Sequence, residues 1–439
     1  MRYLAVALLV SFAAAFPTSI NAAGVKPGDV ITPDNAASVV DLVSPGNYQL
    51  VKQGMRMNIV ASARLDWPPP YKTATEKYAP QVSLNDKDEL QNYVAGQPFP
   101  LLDPNDPHVA AKVMWNFSFR PQYTDDADIR DVEVSSYSGN STTSGPVEHF
   151  TIGHFAFYNS MGRTEVAPIP TDAEATGAGI RYRFGAFPFL EPQEIYGFGL
   201  IRERNVDPAI DDNVWFYMPG RRSVRRVRAE ELSDSIIPSD GKGSASTYAN
   251  NLDPDSYFGF SAKIENYNYK LLGLKPMLAS VHAKNTPAKP CQFDGNRTVC
   301  PEDWEMRQLY VIEATAKPLS WHQKIGSGGV LIPKRVLYID SEGWFITASD
   351  QYDLQGKLWK TIATFNTFDD RPVRDAKVAV YPFKRMFQTA LVDEDLQSGF
   401  SSVVYMPGHE TEDHESWYIN MGIVTKGFLD PHQMQNYAH

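Results

Sequence analysis

From Val214 to Arg228 the chain reads VWFYMPGRRSVRRVR: an aromatic strand, a Pro-Gly pair and an arginine-studded strand in succession. Pro219-Gly220 suits the two central positions of a type II turn, so the flanks are expected to pair as a hairpin. Along the first strand Trp215 and Tyr217 point to one side and Phe216 and Met218 to the other, which leaves no purely polar face. A strand of this kind needs cover on both sides, from core or from something bound. The second strand carries Arg221, Arg222, Arg225, Arg226 and Arg228. Two readings fit these: a basic stripe for a lipid headgroup or acidic partner, or a solvated strand edge that charge protects from aggregation.

Residues 1–23 hold Arg2, an apolar run from Leu4 to Phe16 and the small-residue end Asn21-Ala22-Ala23, the layout of a secretory signal. The mature chain is therefore expected to span 24–439 as one β-rich domain, soluble and without a cysteine placed to take a lipid anchor. No later stretch reaches the about 20 apolar residues that a bilayer span needs. Cys291 and Cys300, the only cysteines, lie nine apart in a Pro/Gly/Asn loop, and a secreted chain most simply joins them as a disulfide. Two free thiols are the alternative, and nothing supplies the further ligands of a zinc site. Once Arg2 has left with the signal, 40 basic and 52 acidic residues remain, a net −12. So acidic a chain is a poor general nucleic-acid binder.

The 32 prolines, 29 glycines and abundant aromatics describe a turn-rich β protein with no low-complexity linker. Few helices are expected, most of them early. Thr32-Pro33 starts one that runs to about Val43, where Ser44-Pro45-Gly46 stops it. Ser83 to Ala95 forms a second, ended by Gly96. Asp106-Pro107 starts a third, through His108 to about Met114. These short pieces suit a lid or plug over a sheet, or packing on its outside. Trp115, Phe117 and Phe119 alternate with Asn116, Ser118 and Arg120 and predict a strand with one apolar face. Phe155 and Phe157 continue that pattern, as do Tyr267 and Tyr269. Arg335 to Ile339, Trp344 to Tyr352 and Leu358 to Phe365, separated by Asp340-Ser341-Glu342-Gly343 and Asp353-Leu354-Gln355-Gly356, predict an antiparallel meander.

The W-x-Y-x-P of Trp215–Pro219 followed by V-R-R-V resembles the outer-membrane-lipoprotein-sorting carriers LolA and LolB. Further blocks are ATEKYAPQVSL from Ala74, NYVAGQPFPLLDPNDPHVAAKVMWN from Asn92 to Asn116, and VLYIDSEGWFITASDQYDLQGKLWK from Val336 to Lys360. With the Trp215–Arg228 segment they resemble domain-of-unknown-function family 1329, a bacterial, lipoprotein-sorting-like family of about this length. The resemblance implies a periplasmic protein with a LolA-like, strongly curved antiparallel sheet or half-open barrel and helices against or across its concave side. True lipoprotein carriers are less than half as long and have no counterpart to the Asn92–Asn116 block. An apolar cavity is inherited more readily than lipoprotein sorting as such.

An apolar carrier site needs concave surface and a few polar anchors, because burying ligand carbon yields about 25 cal/mol per Å² while the polar end still requires partners. The candidate wall is Trp115, Phe117, Phe119, Trp215 and Tyr217, with Arg222 or Arg225 as anionic anchors at the rim. For any one of these aromatics ordinary core packing is the better single reading, since core and cavity share the same alternating pattern, and the set carries more weight than its members. Catalytic signatures are missing: the chain has no G-x-S-x-G elbow, H-E-x-x-H helix or P-loop. His149 and His154 are an odd number apart on an expected strand and face opposite sides. The run His409 to Glu415 could hold a cation or be a solvated acidic loop, and Asp393-Glu394-Asp395 reads as a charged turn. The N-x-S/T matches at Asn116, Asn140 and Asn296 are chance ones in a bacterial chain. The sequence thus points to a non-enzymatic periplasmic binding or carrier protein for a lipid, lipoprotein acyl chains or another hydrophobic compound, without cofactor or metal. The alternative is an accessory or assembly factor that docks an outer-membrane protein or an efflux-type inner-membrane transporter.

Overall fold

Long alternating stretches bounded by Gly, Asn and Asp turns give strands of up to 15 residues. The structure, a computed structural model, describes residues 24–138, 145–227, 256–284, 297–317, 332–371, 380–406 and 417–437. The signal-like leader, Asn140, Arg228, Cys291, Asn296 and the His409–Glu415 run lie outside these residues. In chain order the strands are β1 (Val30–Ile31), β2 (Met57–Ile59), β3 (Ser83–Leu84), β4 (Leu90–Gln91), β5 (Asp126–Tyr137) and β6 (Glu148–Asn159). They continue as β7 (Ile180–Glu191), β8 (Gly199–Asn205), β9 (Asn213–Met218), β10 (Ser223–Val227), β11 (Tyr267–Ala279) and β12 (Glu302–Ala316). The last are β13 (Lys334–Asp340), β14 (Ile346–Tyr352), β15 (Leu358–Asp369), β16 (Arg385–Asp395), β17 (Phe400–Tyr405) and β18 (Trp417–Ile419).

Sixteen of these strands form one sheet in the order β1-β2-β12-β13-β14-β15-β16-β17-β5-β6-β7-β8-β9-β10, with β11 also on β12 and β18 also on β5. The protein is thus mainly β, with an open antiparallel sheet in which, among the described residues, only strands β2 and β12 run parallel. The sheet curls: beyond β11, Ser280 bridges Phe365 of β15, and the N–H of Ala283 donates to the carbonyl of Asn366 at 2.8 Å. The expected meander is present as β13, β14 and β15, although Trp344 sits in the turn before β14 with a left-handed φ of 58°.

Register defines two faces. Leu337 pairs with Ser349, Ser349 with Ile362, and Thr364 with Leu391, so these positions share the face that carries Phe155, Phe157 and Phe184 farther along. This inner face is covered by helix α3 (Val109–Ser118), the third after α1 (Pro45–Gln53) and α2 (Pro69–Tyr78), which packs on Ile312, Leu337, Ile339 and Ile346, and by the segment Tyr257–Ile264. The outer face is covered by helix α1 (Pro45–Gln53) against Ala363, Phe365, Ala390 and Val392. Farther along, Val424, Phe428, Leu429, Met434 and Tyr437 of the C-terminal segment cover Ala156, Tyr158, Phe187, Ile201 and Tyr217.

Several local expectations need correction. Trp115–Phe119 is not a strand: the helix begun after Asp106-Pro107 continues to Ser118. It buries residues around its whole circumference, so the alternation of large and small side chains carried no amphipathic period. Asn116 is fully buried; its amide donates to the carbonyl of Phe99 at 2.8 Å and accepts the N–H of Phe99 at 2.9 Å, which rules out a glycan there. Ser83–Ala95 is no helix but the small hairpin β3–β4. The side chain of Asn85 accepts the N–H groups of Lys87 and Glu89 and fixes its turn, an alternative to helical bonding open to Asn.

The helix expected from Thr32 to Val43 is a 3₁₀ stretch over Pro33–Val39, broken by non-helical Asn35. Ser44-Pro45-Gly46 starts a helix rather than stopping one: the Ser44 hydroxyl accepts the N–H of Asn47 at 3.0 Å and Pro45 takes the first helical position. The β9–β10 hairpin forms, but Met218 pairs with Ser223, leaving a four-residue loop with a 3₁₀ turn at Pro219–Arg221 and Arg222 at φ 47°. A two-residue type II turn would splay strands of right-handed twist, and the longer loop avoids that. Asp393 and Glu394 are buried in β16 and not in a charged turn; only Asp395 reaches the turn, where it accepts the N–H groups of Gln397 and Ser398.

Candidate functional site

A cavity of ≈ 120 Å³ lies on the inner face between the C-terminal end of α3, strands β6, β7 and β8, and the segment Tyr257–Ile264. Helix α3 brings Phe117, Ser118, Phe119 and Arg120 to it as its last turn unwinds. From the sheet come Phe157 and Phe184, also Arg202 and Arg204, cations that the pleat turns inward, and Arg181, which the register shift between Ile180 and Tyr182 brings to the same side. Beside it is a second cavity of ≈ 50 Å³, walled by Val132, Val134, Ile152, Phe155, Leu200 and Val404 among others, with Gln388 its one polar side chain apart from the Tyr257 hydroxyl. Tyr257 and Phe258 line both and form the partition between them. Phe258 holds this place in the left-handed region at φ 57°, a costly conformation for an aromatic residue. Gly259, at φ 86°, lets the same turn rest on Ile346, because a Cβ there would meet Ile346 Cγ2 at 2.5 Å.

The polar groups of the larger cavity divide into paired and unpaired cations. Asp212 accepts from Arg202 Nε at 2.6 Å and Arg204 Nη2 at 2.9 Å, and Lys263 Nζ lies 3.7 Å from it. Burial opposes the Asp212 charge, but Arg204 and Arg202 outweigh it and hold the carboxyl well below the usual range. Arg120 has neutral partners: Gln122 Oε1 at 2.8 Å, the Phe117 carbonyl at 3.0 Å and the Tyr123 hydroxyl at 3.0 Å. Its guanidinium also lies 4.6 Å from the Phe117 ring and 5.3 Å from that of Phe258. Arg181 donates to Ser118 Oγ at 2.7 Å and sits 5.0 Å from the Phe119 ring and 5.3 Å from that of Trp115. Burial lowers the pKa of both arginines. It pushes the hydroxyl of Tyr123 up, so the phenol stays neutral.

Of the aromatics expected from sequence, Phe117 and Phe119 line the larger cavity. Trp115 stands behind that wall, 2 % exposed, stacked on Phe119 and donating its indole N–H to the Asp88 carbonyl at 2.8 Å. Trp215 and Tyr217 lie on the outer face against the C-terminal segment and line neither cavity. Arg222 and Arg225 are exposed on the hairpin at the sheet edge, also away from both cavities. The sequence reading missed Arg120, Arg181, Tyr123 and the Tyr257–Phe258 partition. Arg202 and Arg204, in phase with Leu200 on one strand, were the available signal for inward-facing arginines; Arg181 comes in only through the register shift between Ile180 and Tyr182, which sequence spacing does not show. His149 lies 3.2 Å from Glu133 and 3.7 Å from Glu191, whereas His154 pairs with Asp128 at 3.0 Å, so the two serve separate contacts.

Among the described residues no helix is long and apolar enough to cross a membrane. No curated protein matches the chain. Three solved structures are similar to it at 15% identity. One is a domain from Vibrio parahaemolyticus described as an outer membrane lipoprotein-sorting protein (TM-score 0.41; 74% of this chain, 97% of that one). The second is a DUF1329 family protein from Desulfovibrio piger (TM-score 0.40; 72% and 94%). The third is a LolA superfamily protein from Nitrosomonas europaea (TM-score 0.30; 65% and 84%). The family model described as "Protein of unknown function (DUF1329)" matches residues 30–417, and the chain belongs to that family.

Proposed function

We propose that this protein is a non-enzymatic binding or carrier protein for a hydrophobic compound, working in the periplasm. The carrying observation is the pair of neighbouring cavities on the inner face that share Tyr257 and Phe258 as a common wall. The smaller cavity has the apolar lining that a hydrophobic ligand requires, since each buried methylene contributes about 0.8 kcal/mol, and the larger adds four arginines and several hydroxyls to its aromatic wall. Pockets for drug-sized ligands are about 300–1,000 Å³. The two cavities, at ≈ 120 Å³ and ≈ 50 Å³, together fall short of that range, so such a ligand requires the walls to open as well as the partition to move. Phe258, already in a costly conformation, is the residue whose release would join the two spaces. The signal-like residues 1–23 support the compartment.

The test is titration with the neutral probe N-phenyl-1-naphthylamine. Wild type should bind it in saturable fashion, and Ala262→Phe, which fills the larger cavity, should abolish the enhancement with the circular dichroism spectrum unchanged. Equal binding by a folded Ala262→Phe protein would contradict the assignment of the site.

A further inference from the structure

The charges in the larger cavity do not balance. Arg120, Arg181, Arg202 and Arg204 line it and Lys263 stands beside it, yet Asp212 is shared by Arg202, Arg204 and Lys263. Among the described residues neither Arg120 nor Arg181 has a carboxylate within the 4.0 Å of an ion pair. Glu265 acts on Arg181 only from beyond that distance. Their neutral hydrogen bonds and ring contacts leave two desolvated guanidiniums without a counter-ion, an arrangement that costs free energy until an anion arrives. Both keep some accessible surface and both open onto the cavity. Guanidinium stays charged at any working pH and presents a planar fork that matches a carboxylate.

We propose that the ligand is a carboxylate-headed apolar molecule of the fatty-acid class, its head held between Arg120 and Arg181 and its chain running past Tyr257 and Phe258 into the second cavity. This rests on the carrier reading and adds the chemistry of the head. The second cavity supports an apolar tail because its walls are almost entirely aliphatic and phenyl, and at ≈ 50 Å³ it must widen as the chain enters. The two cavities thus present an anion-receptive end and an apolar end, separated by one movable partition. An uncharged ester of the same chain would fill the apolar space but leave both guanidiniums unpaired.

The experiment is a binding titration of delipidated full-length protein at pH 8 with palmitate and with methyl palmitate, repeated for Arg120→Gln and Arg181→Gln. The expected result is palmitate binding at least about tenfold tighter than the ester in wild type, with that preference reduced about tenfold in each variant while ester affinity holds. Equal affinity for acid and ester in wild type would overturn the headgroup assignment and leave the carrier reading standing. Binding of neither would overturn both. A preference retained in both folded variants would remove the arginines from the site. Should a glutamine variant fail to fold, the wild-type acid-to-ester ratio decides by itself.

Discussion

Asp350 offers a quantitative test of how α1 is docked. Its carboxylate is fully buried; Oδ1 accepts the hydroxyls of Ser44 at 3.1 Å and Thr361 at 2.8 Å, and Oδ2 accepts the Gly46 N–H at 3.1 Å. Burial pushes its pKa up from 3.8 to about 6, and the three hydrogen bonds only partly oppose this. The folded state therefore holds a proton more tightly than the unfolded chain. Between 3.8 and about 6 the folded protein carries more protons, so stability falls as pH rises through that window. The contribution is complete below 3.8 and lost above about 6, and at roughly 1.36 kcal/mol per pH unit the gap amounts to about 3 kcal/mol. Asp350→Asn keeps an acceptor for the two hydroxyls but turns an amide N–H₂ toward the Gly46 N–H, a cost that does not vary with pH. Urea unfolding followed by tryptophan fluorescence, from about pH 3.5 to about pH 7, isolates the group through the wild-type minus variant difference. That difference should fall by about 3 kcal/mol across the window. A flat difference, or one that rises with pH, would refute the reasoning, because Asp350 would then be comfortably ionised in the fold.

Other outcomes follow from particular contacts. In Gly46→Ala the new Cβ would meet Thr361 Oγ1 at 1.9 Å and Asp350 Oδ1 at 2.3 Å, so α1 must lift from the sheet; thermal melting should register a loss of about 1–3 kcal/mol. Trp215→Ala removes a half-buried ring beneath the C-terminal segment and should cost about 2 kcal/mol in denaturant while leaving N-phenyl-1-naphthylamine affinity unchanged; weakened probe binding would place Trp215 at the site after all. Cys300 is buried, and a thiol assay on denatured, unreduced protein should find no free thiol; two would abolish the proposed Cys291–Cys300 bond.

The sheet was legible where strand-forming runs were bounded by explicit turns. β13, β14 and β15 are runs rich in β-branched, aromatic and other apolar residues, and Asp-rich, Gly-ended turns divide them. α3 was misread because full burial erases helical periodicity, and the alternation of Trp115, Phe117 and Phe119 with smaller residues imitates a strand. Phe117 and Phe119 reach the cavity because the end of α3 delivers them, a cause the strand reading did not contain. Trp215 and Tyr217 were read as needing cover, and they have it; what sequence could not say is that the cover is the chain's own C-terminal segment. The arginine pair joins residues 61 positions apart on a helix end and a strand, and such long-range convergence leaves no local pattern. The arginines visible as a cluster, from Arg221 to Arg226, lie instead along the edge strand, where charge discourages pairing with another sheet.

Mass spectrometry of organic extracts from protein purified out of the periplasm without detergent, beside a matched control protein, tests hydrophobic carriage most directly. An apolar compound recovered in stoichiometric amount from this protein and absent from the control is the expected result. A clean extract, from protein that also takes up no neutral hydrophobic probe, would contradict the carrier function.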